Sequence, residues 1–137
     1  MLVILAGCGA INAKLLRTDP AGVHSFRVNA AYQDVYEKAL SRAQACAQQA
    51  TFGDNASVQG RLFTDRKRAS ISILNSNIYA GGALLTIDIA QADADETEVM
   101  VFYALRRHKP AALLVEDWII KNSSGCPRGG SSLECGC

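Results

Sequence analysis

The stretch from Ala69 to Leu105 decides the fold. Within it, Ala69-Ser70-Ile71-Ser72-Ile73 alternates apolar and polar residues, and so does Leu85-Thr86-Ile87-Asp88-Ile89. That period of two marks strands with one face buried. Val99-Met100-Val101-Phe102-Tyr103-Ala104-Leu105 is apolar on both faces, which suits a strand in the interior of a sheet. The polar connection Asp65-Arg66-Lys67-Arg68, the loop Asn75 to Gly82 and the acidic turn Asp93-Ala94-Asp95-Glu96 separate these runs. Adding Val58 to Thr64 gives four consecutive strands, whose short connections favour antiparallel hairpins.

Outward from this core the period changes. From Ala30 to about Gln49, residues Tyr32, Val35, Tyr36, Ala39, Ala43, Cys46 and Ala47 fall on one stripe of a helix. Asn29 is the expected N-cap, and Gly53-Asp54-Asn55 the terminating turn. His24, Phe26 and Val28 alternate with Ser25 and Arg27 in a strand before that helix. After the last strand, Pro110 suits the first turn of a second helix, with Ala111, Leu114, Val115, Trp118 and Ile119 on its apolar stripe. The order β-α-β-β-β-β-α predicts a two-layer α+β domain over 23–122, an antiparallel sheet with both helices on one face. Residues 8–22 show no period and read as a tether, and 123–137 as a Ser/Gly/Cys-rich tail.

The composition fits this single domain. The chain has 137 residues, 49% hydrophobic and 20% charged, with a net charge of +1. That is enough for one core, and too apolar for wholesale disorder. The charge balance argues against nucleic-acid binding by bulk electrostatics. No run of about eighteen apolar residues is present to cross a membrane as a helix.

The N-terminus suggests an address. Met1 to Leu5 is apolar and leads into the small residues Ala6 and Gly7, then Cys8. This is the form of the end of a secretory signal, which would occupy residues 1–7. Leu5-Ala6-Gly7-Cys8 resembles a bacterial lipobox. The resemblance implies cleavage before Cys8, acylation of its thiol, and a membrane-anchored lipoprotein. Gly9 stands where an inner-membrane retention signal carries Asp, so the resemblance points to the outer membrane, facing the periplasm. The plainer alternative makes Met1 to Leu5 a buried strand and Cys8 an ordinary thiol. The element order over 23–122 is similar to the helix-grip domains of BamC-like lipoproteins, which attach to the outer-membrane barrel-assembly machinery. That likeness is one of order and transfers no functional residue.

Besides Cys8 the chain holds Cys46, Cys126, Cys135 and Cys137, an even set suited to an oxidising compartment. Antiparallel helices place Cys46 and Cys126 towards opposite edges of the sheet, and a bridge needs Cα atoms within about 7 Å. Nine further residues from Cys126 to Cys135 reach up to about 30 Å. Pairing of Cys46 with Cys135 or Cys137 is therefore expected over Cys46–Cys126.

Enzymatic constellations are sparse. A nucleophile needs a base, and His24 and His108 are the two histidines. His24 shares a strand face with Phe26 and Val28, and cationic neighbours oppose protonation of His108. No nucleophile elbow, phosphate-cradling loop or His-Glu-x-x-His occurs, so neither an enzyme nor a resident cofactor or metal is expected. Asp93, Asp95, Glu96 and Glu98 read as a solvated loop, with weak calcium binding as the alternative. Cys135-Gly136-Cys137 supports either structural disulfides or thiol-redox and soft-metal chemistry. The binding candidates are Arg66, Lys67 and Arg68 in one turn, Arg106, Arg107 and Lys109 after the last strand, and Ile78 and Tyr79 in the 75–82 loop. The function these features favour is a non-catalytic binding or assembly role in the cell envelope, with another envelope protein as partner.

Overall fold

A computed structural model describes residues 13–49, 52, 55–75 and 82–127. The proposed acylation site Cys8, the loop residues Ile78 and Tyr79, and the tail cysteines Cys135 and Cys137 lie outside the described residues.

The domain is α+β, as the periodicity predicts. Its elements are α1 (Ala13–Thr18), β1 (Gly22–Val28), α2 (Tyr32–Gln48), β2 (Ala56–Phe63), β3 (Arg68–Asn75), β4 (Gly82–Asp93), β5 (Glu96–Tyr103) and α3 (Lys109–Ile120). The five strands form one antiparallel sheet in the order β1-β5-β4-β3-β2. The doubly apolar β5 is hydrogen-bonded along both edges, to β1 and to β4, so it lies in the interior of the sheet.

Register explains the layering. Val58, Ile73, Leu85 and Tyr103 form one cross-strand row; Gly60, Ile71, Ile87, Val101 and His24 form the next. These rows face α2 and α3, which bring Val35, Ala39, Ala43, Ala111, Ala112, Val115 and Trp118 into one buried core with them. Gly22 is needed beside Tyr103: a Cβ there would stand 2.0 Å from the Tyr103 hydroxyl oxygen. The N-cap of α2 is Ala31, in extended conformation, and not Asn29. No cap side chain satisfies the helix, but Gln91 Oε1 accepts the Tyr32 amide from the neighbouring sheet.

Three further expectations require correction. The segment 8–22 is not a free tether throughout, because α1 is docked on the sheet face opposite α2 and α3. Leu16 is fully buried there against Ala83, Phe102 and Ala104. A six-residue helix gives too few turns to show a period in sequence. The start of the 123–137 tail is also packed: Trp118 Nε1 donates to the Gly125 carbonyl at 2.6 Å, and Pro127 is buried.

The third correction follows from the second. Cys46 is bonded to Cys126, with Cα atoms 5.4 Å apart, and not to Cys135 or Cys137. Lys38 donates to the Ile119 carbonyl and to Asn122, so the end of α3 sits beside the first half of α2. Asn122 then adopts a left-handed conformation, φ 53°, and the Ser123 amide returns to the Asp117 carbonyl. The chain reverses at that point. Four extended residues cover about 13 Å, and the eight helical residues from Lys38 to Cys46 rise about 12 Å. The two thiols therefore arrive level.

The bridge spans 80 residues. Chain entropy alone assigns such a loop about 4.5 kcal/mol, and measured values fall nearer 2–4 kcal/mol. Replacing both cysteines by Ala should lower the unfolding free energy by about 2–4 kcal/mol in urea, with loss of the buried-Trp118 fluorescence moving to lower denaturant. Non-reducing peptide mapping should recover the Cys46–Cys126 peptide.

Candidate functional site: the open face of the sheet

Alternation sends every second strand residue away from α2 and α3. Those residues include Arg27 on β1, Met100 and Glu98 on β5, Asp88 on β4, Arg68, Ser70 and Ser72 on β3, and Gln59, Arg61 and Phe63 on β2. Only α1 crosses this face among the described residues. It leaves a groove of about 430 Å³ bordered by Arg17, Phe63, Arg66, Arg68, Asp88 and Met100. A second hollow of about 450 Å³, reaching Lys14, Gln59, Arg61 and Ser72, shares Arg17, Phe63 and Ser70 with it. Arg17 thus stands between two halves of one surface.

Arg17 is held firmly. Its Nε donates to Asp88 Oδ2 at 2.7 Å, and its Nη2 donates to Asp88 Oδ1 and to Ser70 Oγ, each at 2.8 Å. This forked pairing is the strong geometry for guanidinium and carboxylate. Donation of its hydrogen bonds to the Asp88 carboxylate raises the Arg17 pKa above its ordinary value, against the opposing effect of burial. The contact joins α1 to the centre of the sheet and neutralises both charges.

The rest of the face is charged unevenly. On the β1–β5 side, Arg27 donates to Glu96 at 2.7 Å and Glu98 at 3.3 Å. Glu96 is the larger cause, and both raise the pKa of Arg27. On the β2–β3 side the balance is positive. Arg66 lies over the Phe63 ring, 5.3 Å from its centroid, and its nearest acid, Asp65, is 3.8 Å away with both side chains exposed. Lys14, Arg61 and Arg68 are exposed and make no ion pair among the described residues. Lys67 supplies the left-handed turn residue, φ 50°, between β2 and β3.

The other sequence candidates are dispersed. Arg68 pairs across to Ala90 and so to Glu98 at the start of β5, whereas Arg106 and Arg107 follow the end of β5. The two cationic clusters thus occupy opposite ends of the sheet. Arg106 and Lys109 are exposed, while Nε and Nη2 of Arg107 are buried without a hydrogen-bond partner. His24 faces Glu116 at 3.3 Å and tilts against Phe26, and His108 is buried. In the acidic turn, the Gln91 amide donates to the carbonyls of Asp93, Ala94 and Glu96, while the Glu96 carboxylate is engaged by Arg27. Lys14, Arg17 and Arg61 were not among the residues singled out by sequence. The first two sit in the short α1, and Arg61 is separated from Arg66 by the strand end; only the strand alternation links it to the same face.

No protein-family model matches this chain, and no curated protein matches it either.

Asp88→Ala removes both bonds of the fork and leaves Arg17 against the sheet without its carboxylate. For a half-exposed pair the expected loss is about 1–2 kcal/mol. Amide exchange over 13–18 should accelerate clearly more than over β3–β5, which would locate the effect in the docking of α1.

Proposed function

We propose that this chain is a lipid-anchored, periplasm-facing lipoprotein with a non-catalytic binding role in the cell envelope, working through the open face of its sheet. The observation that carries this reading is the placement of Leu5-Ala6-Gly7-Cys8, whose cysteine precedes the docked helix α1 by five residues. The sheet supports it by presenting one face closed by helices and one face of paired and unpaired charges. A binding surface needs such a rigid base with side chains held in place, and the Arg17–Asp88 fork provides one. The outer-membrane address rests on Gly9 after the cysteine. Expression of the gene with a complete secretory signal should yield a protein that is cleaved before Cys8 and carries lipid on it. Intact-mass measurement reads this directly, and an unmodified Cys8 in the membrane fraction would sink the proposal.

A second reading assigns thiol-redox or soft-metal chemistry to Cys135-Gly136-Cys137. The pairing of Cys46 with Cys126 favours it, since the fold makes its own bridge without consuming either tail cysteine. Thiol titration of the native, oxidised protein discriminates. Two rapidly reacting tail thiols that become protected by Cu(I) would support this chemistry, and a Cys135–Cys137 disulfide inert to mild reductant would remove it.

A further inference from the structure

The open face departs from the chain's overall charge. The whole sequence carries a net charge of only +1, yet Lys14, Arg61, Arg66 and Arg68 gather on one side of one face. Its acids each have a cationic partner: Asp88 has Arg17, Glu98 has Arg27, and the solvent-exposed Asp65 stands 3.8 Å from Arg66, so Lys14, Arg61 and Arg68 make no ion pair among the described residues. The surplus arises from segregation, not from composition. Phe63 supports the Arg66 guanidinium from beneath. Exposed guanidinium forks on a rigid sheet suit phosphate oxygens, which they grip through two parallel N–H groups.

Chain length identifies the source of those phosphates. Cys8 precedes Ala13 by five residues, a span of at most about 18 Å when fully extended. Helix α1 is fixed to the same face by Leu16 and Arg17. An acyl chain on Cys8 would keep α1, and with it the face that α1 crosses, within about two screening lengths of the bilayer. We propose that the open face is a docking surface for anionic phospholipid headgroups, with Lys14, Arg61, Arg66 and Arg68 as its contacts. The orientation rests on the lipoprotein reading; the charge complementarity does not.

The test uses the full chain carrying Cys8→Ser, which cannot be acylated, so that the sheet face is read apart from the anchor. Binding is measured by co-sedimentation with vesicles of phosphatidylethanolamine alone or mixed with phosphatidylglycerol. The expected result is binding that requires phosphatidylglycerol and falls steeply with salt. Arg61→Gln with Arg68→Gln should weaken it at least tenfold, on the order of the loss expected for two cations at an anionic surface, without moving the melting temperature. Arg106→Gln with Lys109→Gln removes the same charge at the opposite end of the sheet and should leave binding within about twofold.

Equal binding to neutral vesicles, equal loss in both double variants, or no vesicle binding at all would each overturn the proposal. Retention of poly-glutamate in place of vesicles would also overturn it and assign the face to an acidic polypeptide. Acylation of wild-type Cys8 is scored separately by mass. A lipidated protein whose sheet face ignores headgroups rejects the docking surface alone, and an unlipidated one whose face still binds rejects the anchor alone.

Discussion

Close approach of helices to sheet is the constraint on which everything else depends. Ala39 and Ala43 on α2, with Ala111 and Ala112 on α3, are buried against Ile71, Ile73, Ile87, Val99 and Val101. Small residues on the helices face branched residues on the strands, so two backbones meet with little intervening side chain. Larger residues at these four alanines would lift the helices and open the layer. The same closeness explains why Trp118 can reach past the end of α3 to the Gly125 carbonyl and draw the chain back toward α2. The bridge at Cys46–Cys126 thus follows from the packing it later reinforces.

Burying one face so completely makes the other face different in kind. With the apolar work done beneath α2 and α3, the opposite side of β2–β5 carries Ser, Gln, Arg, Asp and Glu, organised by pairing and not by burial. Helix α1 is the exception that joins the two chemistries. Leu16 fills a small separate apolar cluster, and one residue later Arg17 makes the forked contact with Asp88. Leu16 and Arg17 anchor this six-residue helix by burial and by an ion pair together, a helix too short to persist by itself.

The layered fold was legible because periodicity is a local property. The stripe Tyr32–Val35–Ala39–Ala43–Cys46 and the alternation from Ala69 to Ile89 each report their burial directly, and the structure buries those residues. What escaped depended on contacts distant in sequence. The Arg17–Asp88 pair spans 71 residues and has no local signature. The return of the tail depends on one left-handed residue, Asn122, and Asn adopts that conformation too variably to be read in advance. For the open face, Arg66 and Arg68 stood out as a run in the sequence, while Lys14 and Arg61 joined them only through the topology.

The disulfide also divides the molecule mechanically. Residues 46 to 126 form a covalent ring that encloses β2, β3, β4, β5 and α3, whereas α1, β1 and all but the last turn of α2 lie outside it. Tension drawn through the N-terminus meets α1 first and then β1, an edge strand whose first residue, Gly22, pairs with Tyr103. Pulled from that end, β1 opens its bonds to β5 one after another, in the weak unzipping geometry, while the ring holds the other strands against extension. The domain is therefore built to yield first at its N-terminal edge under load, with β2 to β5 and α3 kept tied together behind it by the bridge.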